Sequence, residues 1–101
     1  MNIAGSFDVA AAVVDLTGQL SPTVAITPGA GNTITVEVSL TPGAAKNPGA
    51  ANWHAADTAN FLPTLTLPIT AAFLSNFRGV CSAMRFTRTA GVVTANWEIS
   101  T

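Results

Sequence analysis

The side chains of this sequence that could do chemistry are few and far apart: one histidine, His54; one cysteine, Cys81; the carboxylates Asp8, Asp15, Glu37, Asp57 and Glu98; and the cations Lys46, Arg78, Arg85 and Arg88. A transition metal held by His54 would have no second histidine or cysteine near it and would have to recruit carboxylates alone, a poor ligand set for zinc or its neighbours. Calcium would need a loop rich in Asp, and there is none. Neither a metal nor a cofactor is expected. Cys81 with His54 as its base lacks an orienting third group and a glycine-framed turn beside it, so Cys81 reads as a small buried hydrophobe. Glu37 and Glu98 both fall on the polar side of alternating segments and superficially resemble a glycosidase pair. A chain of 101 residues leaves almost nothing for the walls of a cleft, and solvated strand faces are the simpler reading. Asp57, next to Thr58, fits a turn or cap. No nucleophile, base and orienter can be named together, so the chain is expected not to be an enzyme.

Trp53 stands among small residues. It is either an aromatic platform for a sugar, with His54 and Asp57 as polar flanks, or an anchor for a protein partner, or a lid folded over the core. Arg78, Arg85 and Arg88 form the basic cluster of the chain. With Arg85 on an outer face, it and Arg88 would offer planar donors to carboxylates of a neighbouring subunit; otherwise they are solvated edge arginines. Phe7 ends an N-terminal stretch, residues 1–7, expected as an arm able to reach across a neighbour. Trp53, His54, Arg78, Arg85, Arg88 and Phe7 are therefore the interface candidates.

Composition points the same way. Charged residues make up 9% of the chain, where about 25% is usual, so the surface must consist largely of small neutral side chains, which lose little hydration when a partner covers them. The net charge of −1 and four basic residues are too few to neutralise a run of phosphates, which argues against nucleic acid. The apolar run 9–14 is too short for a signal-peptide core or a membrane span. One cysteine precludes an intrachain disulfide, consistent with folding in the reducing cytoplasm. A small-molecule ligand is not expected.

The elements that must position these residues are strands. Residues 32–40 alternate Ile34, Val36, Val38 and Leu40 against Thr33, Thr35, Glu37 and Ser39, a half-buried strand. Residues 93–100 alternate Val93, Ala95, Trp97 and Ile99 against polar partners and predict a strand with Trp97 in the core. Residues 81–89 alternate likewise, with Met84 and Phe86 on one side, and Thr89-Ala90-Gly91 offers a turn, so the last two strands are expected to form a β-hairpin. Residues 7–16 are read as a strand with Phe7, Val9, Ala11 and Val13 on one side. Residues 23–27 form a short strand, followed by a Pro-Gly turn. Residues 62–69, which contain two prolines, belong at a sheet edge. Residues 41–52, with two Pro-Gly steps, are a long loop suspected of function. Residues 70–79 are irregular, with Phe73, Leu74 and Phe77 spaced for a helical turn or for a loop plugging the end of the core. About seven short antiparallel strands between Pro/Gly turns define one all-β domain over residues 1–101, a β-sandwich or small barrel.

Three stretches carry a resemblance: 32–43 with Trp53; Pro68-Ile69-Thr70-Ala71; and 84–91 leading to Ala95-Asn96-Trp97-Glu98-Ile99. Together they resemble a group of small β-rich structural proteins of tailed bacteriophages, from which this chain departs in the stretch 73–79. The resemblance implies a capsid decoration or cementing protein on the virion surface, partnered by the major capsid protein and by copies of itself, often as a trimer. A tail, neck or baseplate protein and a carbohydrate-binding module are the alternatives.

Overall fold

A computed structural model of the chain describes residues 2–6, 11–29, 31–56, 68–77, 80–90 and 96–100. Phe7, Asp8, Asp57, Arg78 and most of the expected edge segment 62–69 lie outside the described residues. The strands are β1 (Asn2–Ser6), β2 (Ala11–Asp15), β3 (Thr23–Thr27), β4 (Thr33–Ser39), β5 (His54–Ala55), β6 (Phe73–Asn76), β7 (Ala83–Ala90) and β8 (Asn96–Ser100), with one short 3-10 turn at Pro48–Ala50. They form two antiparallel four-stranded sheets, ordered β1-β8-β3-β6 and β2-β7-β4-β5. The fold is an all-β sandwich, as the alternating pattern predicts.

Alternation decides which side chains meet between the sheets. Val24 and Ile26 of β3, Ile34, Val36 and Val38 of β4, Met84 and Phe86 of β7, and Trp97 and Ile99 of β8 form one core with Val14, Leu16 and Phe77. Trp97 lies 5.4 Å from Phe86, ring centre to ring centre, and so ties the two sheets together. Its indole also lies over Gly5 of the neighbouring strand, where a Cβ would stand 2.5 Å from Trp97 Cζ2. Glycine is required at that point because the ring occupies the place of a side chain. The Trp97 Nε1 proton has no hydrogen-bond partner among the described residues. The Pro-Gly turn before β4 is closed by Asn32, 2% exposed, whose Oδ1 accepts from Gly29 N at 2.8 Å while its own N–H donates to Gly29 O. Gly31 takes φ +76° there.

Several expectations are corrected. β7 and β8 are both strands, but they lie in opposite sheets and do not form a hairpin: β7 pairs with β2 and β4, and β8 with β1 and β3. Alternation fixes the face of a strand, not its partner. In β2 the inward residues are Val14 and, just beyond it, Leu16, with Ala12 partly buried, while Ala11 is exposed; the expected side was the opposite one. Leu40 is 56% exposed instead of continuing the inner row, because the ladder of β4 ends at Ser39. Residues 73–76 are an edge strand paired with β3, not a helical turn, although Phe77 just after them is fully buried. Residues 2–6, expected within an arm, form β1 at the edge of the first sheet. Of the segment 62–69, Ile69 pairs with Ile34 by a single bridge.

Candidate interaction surface

The two sheets turn very different outer faces to the surroundings. On the second sheet the register sets Val13, Arg85, Glu37 and Ala55 in one row across all four strands. Arg85 donates from Nε (3.0 Å) and Nη2 (2.8 Å) to Glu37 Oε1. Trp53, one residue before β5, falls on the same side, and the Arg85 guanidinium lies 4.4 Å above its ring centre. The indole Nε1 donates to Pro48 O at 3.0 Å, so the ring also ties down the 3-10 turn of the long loop. Arg85 therefore binds within its own chain. The guanidinium serves as a planar fork on one side and a stacking surface on the other, a combination lysine cannot reproduce.

In the next row of this face, Ala83 and Ser39 point outward with Arg85 and Glu37, yet both are fully buried. The loop leaving β4 folds back at this end of the face, where Thr41 N donates to Ser39 Oγ at 3.1 Å. Ala44 is buried, Asn52 N donates to Thr41 Oγ1 across the base of the loop, and Gly43, Ala45 and Lys46 line a shallow hollow of about 240 Å³ with Asp15 and Thr17. Asp15 accepts from Thr17 N at 3.0 Å, which holds its carboxyl below the ordinary carboxylate range, helped slightly by Lys46. The long loop is thus a cover on the second sheet, and Trp53 is its fastening, set on the outer face and not over the core.

Among the described residues, no loop covers the first sheet at the row Ala4, Glu98, Ala25 and Leu74, which crosses β1, β8, β3 and β6 in register. Ala4 and Glu98 are exposed, and Leu74 is 70% exposed. Because Ala4 and Ala25 are short, the sheet is hollowed on both sides of Glu98 into a groove of about 190 Å³, closed by Leu74 and bordered by Thr23 and Ser100. The adjoining outward positions are Asn76, Thr27 and Asn96, so Glu98 is the one charge on the described part of this face.

The remaining candidates are dispersed. His54 is exposed on β5 opposite Val38. Arg88 is partly exposed on β7 opposite Ile34. Arg78 and Phe7 lie outside the described residues. Glu37 and Glu98 stand on the outer faces of opposite sheets and cannot act as a pair on one substrate. Cys81 is buried, and desolvation pushes its thiol up from 9.0 to about 11. Among the described residues no group of three His, Cys, Asp or Glu side chains could hold a metal ion, and no helix is long and apolar enough to cross a membrane. Sequence reasoning missed Glu37 as the partner of Arg85, although the two are opposite charges on polar sides of adjacent strands. It also missed Ala4, Ala25 and Leu74, whose significance arises only when four strands are laid side by side. Compared with protein-family models, with curated proteins and with solved structures, the chain matches none.

Proposed function

We propose that this chain is a non-enzymatic structural subunit that works by docking, as a homo-oligomer, on the capsid of a phage-type particle, its partners being the major capsid protein and its own copies. The observation that carries the reading is the contrast between the two outer faces. One is taken up at its Ser39 and Asp15 end by the chain's own loop, fastened by Trp53, Arg85 and Glu37. The other presents, among the described residues, short neutral side chains around Leu74 and a single carboxylate, a surface that costs little to desolvate. The phage setting and the three-fold symmetry come from the resemblance of the strand motifs.

Size adds a constraint on how such docking would work. Four strands about 4.8 Å apart and five residues of about 3.3 Å make a flat footprint of roughly 300 Å², well below the roughly 800 Å² per partner of a stable pair. Docking through this face must therefore be multiplied, and a lattice that offers several sites to one oligomer does so. The glycan-binding alternative has less support, since one face of the Trp53 ring is already taken by Arg85 and its N–H by Pro48. Purified chain added to capsids lacking it should co-sediment to a saturating copy number that matches lattice positions. A chain that remains in the supernatant at every concentration, while a glycan array retains it through Trp53, would reverse the ranking of the two readings.

A further inference from the structure

The edges of the two sheets are not equally protected. An antiparallel edge strand directs the N–H and C=O of alternate residues away from its neighbour, and natural sheets blunt such edges with charge, proline, bulges or extreme shortness. β5 is two residues long, and β2 carries Asp15. β6 has four residues and ends at Asn76, whose amide donates back to Ser21 O and Thr23 Oγ1. β1, Asn-Ile-Ala-Gly-Ser, has five residues with neither charge nor proline, in an unbroken register with β8, its one strand partner among the described residues. We propose that the open edge of β1 pairs with β1 of a second copy, antiparallel about a two-fold axis through Ala4.

That register is self-complementary. It sets Ala4 against Ala4 on the outer face and Ile3 against Gly5 of the second copy on the inner face. Ile3 is half-buried and packs on the core, while at Gly5 the Trp97 ring takes the place of a side chain, so Ile3 of each copy meets the apolar edge of the other copy's indole in both halves at once. Charge does not oppose the pairing. Glu98 lies one strand in, which separates the two carboxylates by three strand spacings, about 14 Å and beyond the screening length of about 8 Å at physiological salt. Pairing would also join the two hollowed outer faces into one eight-stranded surface of roughly 600 Å², close to the footprint of a standard interface. A two-fold pair differs from the three-fold that the resemblance implies, and mass alone separates them.

Cysteine substitution reads the geometry directly. In an antiparallel pair, facing Cα atoms lie about 4.5–5.5 Å apart, inside the disulfide range of about 4.4–6.8 Å, so Ala4→Cys should cross-link into a dimer under mild oxidation. Ala25→Cys, on the same face two strands further in, should cross-link at least about fivefold more slowly, as random collision allows. Buried Cys81 stays out of both reactions. Ala4→Lys sets like charges against each other across the axis while facing Glu98 within its own sheet. By sedimentation velocity it should self-associate about fivefold more weakly than the parent chain. Equal cross-linking of the two cysteine variants, or undiminished association of Ala4→Lys, would overturn the pairing. Capsid binding enters neither readout, so the edge pairing and the docking function can fail separately.

Discussion

Gly5→Ala sets two effects of opposite sign against each other. Replacing glycine in a strand restricts the unfolded chain and by itself stabilises by about 0.5–1 kcal/mol. At Gly5, however, the added methyl would stand 2.5 Å from Trp97 Cζ2, 2.7 Å from Cε2 and 3.0 Å from Nε1. The indole has little room to retreat, being 8% exposed and packed against Phe86. Contacts this short place the cost in the upper part of the overpacking range, about 2–3 kcal/mol, so steric strain prevails and the net loss is about 1–2.5 kcal/mol. For a domain of this size that lowers Tm by roughly 5–15 °C. The assay is urea unfolding of Gly5→Ala, Trp97→Phe and the double variant. A smaller ring at 97 gives the methyl space, so the double variant should lose less than the sum of the single changes. If β1 instead detaches, amide exchange at residues 2–6 becomes fast while the rest of the first sheet keeps its protection. A neutral or stabilising Gly5→Ala would refute the claim that the indole lies over this glycine.

The Cys81 thiol should resist iodoacetamide in the folded chain at pH 8 and react at once in denaturant, because its thiolate is both buried and disfavoured; rapid native labelling would contradict its position. Its folded pKa is raised from 9.0 to about 11, so between these values the folded state holds more protons than the unfolded one, and stability should fall as pH rises through that window. A denaturation midpoint flat from pH 8 to 11 would refute the assignment. Trp53→Ala removes the stacking on Arg85 and the bond to Pro48, which together should cost about 1–2 kcal/mol and accelerate amide exchange over residues 41–52. Unchanged exchange there would mean that the loop is held by something other than the ring.

How much of this could be read in advance depended on how unambiguous each pattern was. β4 was legible because Ile34, Val36 and Val38 alternate with polar residues that have no competing claim on the core. β2 was read on the wrong side because Val13 and Val14 are equally apolar, and the side is decided by Leu16, whose contact is tertiary. The segment 83–100 yielded two correct strands and a wrong pairing, since a turn signal describes a local bend and says nothing of which sheet the next strand joins. Of the interface candidates, Trp53 and Arg85 do meet, with Glu37 as the third member, but they meet to hold the chain's own loop. The bare face of the first sheet was illegible for a simple reason. Its four central residues lie at positions 4, 25, 74 and 98, and no local pattern links them.

The charge-poor composition that leaves the first sheet easy to cover is also what leaves β1 without the protection edges usually carry. Both features fit a chain meant to be surrounded by other chains.

The most direct test compares the two faces in one binding experiment. Leu74→Asp puts a second carboxylate in the row of Glu98 on the first sheet, two strands away, whereas Thr35→Asp alters the outer face of the second, and the binding of each variant to capsids lacking the protein is measured by sedimentation. The account predicts that Leu74→Asp loses binding while Thr35→Asp keeps it. Retained binding by Leu74→Asp together with loss in Thr35→Asp would contradict the central claim.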